Sequence, residues 1–229
     1  MKKSLFASAL IAAVLPAHAA TVVQWDFEGA TTPADLSDSA ASPAVAASLG
    51  SGTASGLHAS AASDWTTPAG NGSANALSAN TWGVGDYWQF SFSTLGYADL
   101  RVSFDQISSG TGPRDFKLAY STNGTSFTDF ASYSVRSNAS PAWSSASPTG
   151  LDSFTHNLSA IAALDNQAVV TLRLIDTTTI SAAGGTVATG GTDRIDNFSV
   201  MLTPVPEPTS WALMLAGLSA IGFIARRRG

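Results

Sequence analysis

Residues 87–93 read YWQFSFS, with Trp88, Phe90 and Phe92 on one side of an extended chain and Gln89, Ser91 and Ser93 on the other. A hydrophobic period of two fits a half-buried strand and no helix, so this stretch commits the chain to a sheet with one face in a core. The pattern recurs along the sequence. Residues 100–105 direct Leu100, Val102 and Phe104 inward, and residues 116–121 do the same with Phe116, Leu118 and Tyr120. Asn123-Gly124 then marks a tight hairpin, because both positions tolerate positive φ, and residues 126–133 return the chain. Residues 154–158 form a short strand, residues 161–165 a helical turn, and residues 169–176 a strand with Val170, Leu172 and Leu174 opposite Thr171 and Arg173. Residues 194–202 close the body with Phe198, Val200 and Leu202 on one face. Short alternating strands, Gly/Pro-rich turns and no long amphipathic helix predict an all-β fold, an antiparallel β-sandwich.

The beginning of the body is less regular. Residues 21–28 (TVVQWDFE) read as a first strand, with Trp25 and Phe27 on one face and Asp26 and Glu28 on the other. Residues 30–79 are rich in Ala, Ser, Gly, Thr and Pro, and Trp65 is their only aromatic. They are expected to be a loop with one or two weak strands, and their composition also suits partial disorder.

Both ends are of a different character. Lys2 and Lys3 precede an apolar run at residues 5–15, and Ala17-His18-Ala19 or His18-Ala19-Ala20 ends in small residues, the layout of a secretory signal peptide over residues 1–20. Residues 209–225 contain no charged side chain, and Arg226, Arg227 and Arg228 follow them. As a helix those residues extend about 25 Å, close to the shortest length that crosses a hydrocarbon core of about 30 Å. Trp211 stands at the interface position, with Leu213, Leu215, Leu218, Ile221, Phe223 and Ile224 in the apolar run and the arginines as a cytoplasmic stop. A buried core helix is the alternative on length alone; the flanking prolines and arginines favour a membrane-directed tail. Three units follow: a signal peptide at 1–20, a β-sandwich at 21–203 and a sorting segment at 204–229.

The order Pro206-Glu207-Pro208, apolar helix, basic cluster resembles the PEP-CTERM tail of exported proteins from Gram-negative, polysaccharide-producing bacteria. The resemblance implies export through signal peptidase, transient anchoring in the inner membrane, cleavage by an exosortase and delivery to the cell surface or extracellular matrix. Residues 120–127 (YSTNGTSF) are similar to a Ser-x-Asp-Gly-x-x-aromatic hairpin of discoidin-like and other carbohydrate-binding jelly rolls, with Asn in place of Asp and Phe in place of the usual Trp. Trp25-Asp26-Phe27-Glu28 and Arg194-Ile195-Asp196-Asn197-Phe198 resemble the first and last strands of such jelly-roll modules, which implies terminal strands side by side with a structural Ca2+ between them. Glu28 and Asp196 are the expected ligands and Asp26 a lesser one, since calcium takes carboxylate, carbonyl and water oxygens; a solvated acidic rim is the alternative.

Composition narrows the chemistry. Between residues 21 and 204 stand six Lys or Arg against fifteen Asp or Glu, a body near −9, which disfavours nucleic acid and anionic lipid as partners. There is no cysteine, so disulfides and thiolate chemistry are excluded. After signal removal His58 and His156 remain, with no metal-binding His spacing and no Gly-x-Ser-x-Gly elbow, and Glu28 is the only glutamate before the tail. No catalytic residue is assigned. Trp65, Trp82 and Trp143 lie in or near polar connections and are the candidate glycan contacts, with Tyr133, Arg114 and Asp115 as further possibilities; loop packing is the alternative for each aromatic. The expected function is a non-catalytic surface or matrix protein that binds exopolysaccharide, against a secreted polysaccharide hydrolase or a purely structural biofilm component.

Overall fold

A computed structural model describes residues 18–29, 36–139, 141–205 and 208–227, the last segment without the side chains of 208–213. Residues 1–17 of the proposed signal peptide, Pro206, Glu207 and Arg228 lie outside the described residues, as do the side chains of Pro208, Trp211 and Leu213. Twelve strands appear in chain order: β1 (Ala20–Trp25), β2 (Val45–Ala46), β3 (Gly52–Leu57), β4 (Trp65–Thr66), β5 (Leu77–Ala79), β6 (Tyr87–Phe92), β7 (Tyr97–Ser108), β8 (Asp115–Ser121), β9 (Thr128–Ser134), β10 (Ser153–Asn157), β11 (Val170–Asp176) and β12 (Asp193–Pro204). The helical turn expected near residue 161 is a 3-10 helix at Ala162–Leu164.

The strands form two six-stranded sheets whose ladders are all antiparallel. The first runs β10-β7-β12-β5-β4, with β1 also on β12. β5 pairs with the start of β12 (Asp193 to Ile195) and β1 with its end (Phe198 to Leu202). The second sheet runs β2-β3-β6-β11-β8-β9. The expected antiparallel sandwich is therefore the fold, and its first and last strands are neighbours.

The inward set matches the alternation. Trp88, Phe90 and Phe92 from β6 meet Leu172 and Leu174 from β11, Leu100, Val102 and Phe104 from β7, and Phe198 and Val200 from β12. Phe90 stacks on Phe198 with ring centroids 3.6 Å apart, and Trp25 meets both edge-on at 5.2 and 5.8 Å. Inward burial of such side chains at ~25 cal/mol per Å² is what holds the two sheets together.

Residues 30–79 depart from expectation, because β2, β3, β4 and β5 all come from that stretch. The reason is space. A Cβ added at Gly56 would stand 2.2 Å from Trp65 Cζ3, and one at Gly52 would stand 2.6 Å from Trp25 Cζ2. The tryptophans fill the volume that large aliphatic residues occupy elsewhere, so the facing strand β3 has to be built from Gly and Ala and carries no strong hydrophobic period.

Helix α1 (Pro208–Arg227) follows β12. Leu215, Leu218, Ile221, Phe223 and Ile224 are all more than half exposed. Among the described residues no helix is long and apolar enough to cross a membrane.

Candidate functional site

The outer face of the second sheet gathers the polar and aromatic side chains that the core alternation sends outward. Register places Ser55, Gln89, Arg173 and Ala119 in one row across β3, β6, β11 and β8, with Leu57, Tyr87, Ile175 and Lys117 in the next. Arg173 is the centre of this face. Its Nε donates to Gln89 Oε1 at 2.9 Å. Its Cζ lies 3.9 Å from the ring centroid of Tyr87 and 3.9 Å from that of Phe127, so the two rings hold the guanidinium between them. Contacts this close leave only the edge of the fork toward solvent.

Phe127 reaches this position because the β8–β9 hairpin folds back on itself. Asn123 Oδ1 accepts from the backbone N–H groups of Thr125 and Ser126, and Ser121 Oγ accepts from those of Asn123 and Gly124. Gly124 takes φ +71°, the left-handed conformation expected from Asn-Gly. These local bonds fix the turn that delivers the ring.

Beside Tyr87 a groove of about 330 Å³ is lined by Leu57, His58, Ala59, Val84, Gly85, Asp86 and Tyr87. Leu57 and Val84 are 41% and 60% exposed, so its rim is apolar. Its floor is polar and buried. The His58 ring sits between Trp65 and Trp82, at 4.6 and 4.3 Å, with Nδ1 2.8 Å from Ser63 Oγ, and burial lowers its pKa to about 4. Asp86 accepts from the N–H groups of Ala59 and Gly83. Asp176 lies opposite Asp86 through a backbone hydrogen bond; burial first, then the Asp86 charge, push its pKa up to about 6, and its Oδ2 has no partner.

The predicted glycan contacts are buried, two of them beneath this groove against His58. Trp65, Trp82 and Trp143 are 1%, 6% and 5% exposed, so none offers a ring face to solvent. Each indole N–H found a local acceptor that allowed burial: Ser39 O for Trp65, Ala79 O for Trp82 and Asp152 Oδ2 for Trp143. Tyr133 donates to Gln106 Oε1, and Arg114 forms an ion pair with Asp115 at 2.9 Å. His156 packs against the rings of Phe104 and Tyr133.

Sequence reasoning passed over Tyr87, Gln89, Phe127 and Arg173 as a group. Two signals were present: Arg173 is a cation within an apolar strand, and Phe127 is the aromatic of the hairpin motif.

The expected calcium ligands lie at the end of the first sheet, where β1 and β12 pair. Asp196 is fully buried, and its Oδ2 accepts from Asn71 N at 2.9 Å and Ser73 Oγ at 2.6 Å; burial raises its pKa to about 6. Glu28 Oε1 accepts from Asn75 N. The strand ends at Trp25, and Phe27 turns the chain at φ +56°, so Asp26 and Glu28 lie beyond the strand rather than on its face. Asp26 Oδ1 is engaged by the Glu28 N–H. Among the described residues no three His, Cys, Asp or Glu side chains form a metal group. A Cβ at Gly70 would stand 2.1 Å from Ser73 Oγ, 2.3 Å from Asp196 Oδ2 and 2.6 Å from Asn75 O, so these oxygens pack directly against the glycine, with Ser73 Oγ bonded to both of the others.

Residues 204–228 match the family described as the PEP-CTERM protein-sorting motif. No curated protein matches the chain. Among solved structures the chain is similar to TmCBM61 in complex with β-1,4-galactotriose, at 12% identity over 65% of this chain and 86% of that one, with a TM-score of 0.35. It is also similar to the CBM22-1–GH10 modules of Clostridium thermocellum xylanase 10B complexed with xylohexaose, at 15% identity over 62% of this chain and 25% of that one, TM-score 0.37. The K3 cleaved adhesin domain of Lys-gingipain from Porphyromonas gingivalis W83 matches at 12% identity over 59% and 78%, TM-score 0.35. Likenesses this distant carry no argument about what the chain binds.

Proposed function

We propose that this chain, which carries a PEP-CTERM sorting motif, is an exported surface or matrix protein whose non-catalytic sandwich binds exopolysaccharide on the outer face of the second sheet. The sorting half is supported by the matched residues 204–228. In this reading signal peptidase removes the N-terminal segment, the tail holds the chain transiently in the inner membrane, and an exosortase cleaves near Pro206-Glu207-Pro208. Arg226 to Arg228 serve as the stop.

The observation that carries the binding half is the half-buried aromatic pair Tyr87 and Phe127 around Arg173, with Gln89 beside it and the apolar-rimmed groove adjoining. Sugar rings present apolar CH faces and a rim of hydroxyls, and a platform of aromatic edges with a few fixed polar groups is complementary to both. A structural Ca2+ held by Asp196 and Glu28 with Ser73 and Asn75 belongs to the same reading, and would add positive charge where a buried carboxylate now depends on hydrogen bonds alone.

The test has two arms. The full chain should bind extracellular polysaccharide in affinity electrophoresis, and Tyr87→Ala with Phe127→Ala should weaken that binding about tenfold or more while circular dichroism stays unchanged. In a host that carries the cognate protease, mass spectrometry of the mature C-terminus should find Ala225 removed. Binding unaffected by both substitutions, or a mature protein that retains Ala225, would reject the corresponding half.

A further inference from the structure

The outer face of the second sheet carries a cation that the protein does not neutralise. Of the six basic residues between 21 and 204, Arg114, Lys117 and Arg136 are paired with Asp115, Asp129 and Asp152; of the other three, Arg101 and Arg194 belong to the first sheet and Arg173 to this one. Arg173 has no carboxylate partner among the described residues, and its one hydrogen bond is from Nε to Gln89. The outward residues of β3 and β6 (Thr53, Ser55, Leu57, Tyr87, Gln89 and Ser91) include no acid. With Asp115 and Asp129 already matched, Arg173 is the unmatched charge among the outward strand residues here, while the carboxylates of Asp86 and Asp176 lie in the adjoining groove floor.

The arginine is also pre-set. Rings at 3.9 Å on its two faces restrict the side chain, and the Gln89 bond fixes the rotation of the guanidinium plane. The ordering entropy that usually opposes a long side chain on binding is therefore already spent. What remains open is the Nη edge, a planar pair of donors with no acceptor of its own. Sugar hydroxyls both donate and accept, so they use such an edge inefficiently; a carboxylate accepts from both donors in parallel.

We propose that this face is selective for acidic polysaccharide, with the carboxylate of a uronic-acid residue received on the Nη edge of Arg173 and neighbouring sugar rings lying toward Tyr87, Leu57 and Val84. This rests on the polysaccharide reading above and specifies its ligand class.

The test compares one oligosaccharide with and without its charge. Calorimetry of the full chain with trigalacturonate and with its fully methyl-esterified form should show the acid binding about tenfold or more tighter, as expected for a charge-assisted pair. That preference should shrink as salt is raised. Arg173→Gln should reduce the acid-to-ester ratio to near one, and Arg173→Lys, which keeps charge but not the fork, should give an intermediate ratio. Equal binding of acid and ester by the native chain, or an undiminished preference in Arg173→Gln, would overturn the proposal. If neutral galactan or xylan oligosaccharides bind through Tyr87 and Phe127 without any preference for the acid, only the uronate assignment falls. Should neither acid, ester nor neutral oligosaccharide bind, the polysaccharide reading fails and this proposal fails with it.

Discussion

Asp193 is fully buried where β12 begins, and its hydrogen bonds dictate its charge. Oδ1 accepts from Trp88 Nε1 at 2.6 Å and Gln106 Nε2 at 2.9 Å. Oδ2 lies 2.9 Å from Ser108 Oγ, yet that hydroxyl is also 2.6 Å from Pro113 O. Ser108 has one proton and faces both acceptors, so Asp193 Oδ2 receives at most a shared donor. Burial acts in the same direction, pushing the Asp193 pKa up to about 8 against the lowering effect of its donors. In the unfolded chain the group titrates near the ordinary aspartate value of roughly 3.9.

The sign follows directly. Between those two values the folded protein holds a proton that the unfolded chain has released, so stability is fully present below about pH 4 and is lost as pH rises toward 8. Each pH unit in that window removes about 1.4 kcal/mol, or roughly 3 kcal/mol from pH 5 to pH 7. An amide has the shape and donor pattern of the protonated acid. Asp193→Asn should therefore keep native stability near pH 4–5 and exceed the native protein at pH 7 by roughly 3 kcal/mol. Urea unfolding of both proteins across pH 5–8, read as the difference between the curves, isolates this group. His58, whose lowered pKa gives the opposite slope between about 4 and 6.5, cancels in that difference, as does Asp196. Parallel curves for the two proteins would refute the reasoning, and so would an Asn variant weaker than the native protein at pH 5.

Two further outcomes are expected. Millimolar EDTA should lower the melting temperature of the protein and added calcium should restore it, while Asp196→Asn should abolish the response; a melting temperature indifferent to both reagents excludes a calcium site that contributes to folding. Gly56→Ala should destabilise by about 1–3 kcal/mol, because its methyl group meets the Trp65 ring at 2.2 Å in the packed core; a neutral result in chemical denaturation would show that the indole yields freely.

The strands that sequence made legible are those whose inward residues are large. Trp88, Phe90 and Phe92 or Leu172 and Leu174 leave a period of two that needs no tertiary information. In β3 the inward positions are Ala54 and Gly56, so the same physical alternation is present but its hydrophobic amplitude is nearly nil. The tryptophans misled for a related reason. A loop Trp reads as exposed until a backbone carbonyl such as Ser39 O or Ala79 O is known to receive its N–H. Arg173, Tyr87 and Phe127 come from three separate segments, and only strand register brings them to one place. The terminal-strand pairing was legible, yet Asn71 and Ser73, which engage Asp196, were hidden in a stretch that carried no structural signal.

β12 is the strand from which the sorting tail departs, and it lies inside its sheet with β7 along one side and β5 and β1 on the other. Only three residues separate its last position, Pro204, from the first helical position, Pro208, and that much chain reaches at most about 14 Å. Whatever grips the helix therefore holds the sandwich close against itself. A pull on the tail runs along β12, and an interior strand drawn lengthwise must break its bonds to both neighbours together, whereas an edge strand peels one bond at a time. Any hold on the tail would therefore act on a strand bonded on both sides rather than on an edge of the sheet.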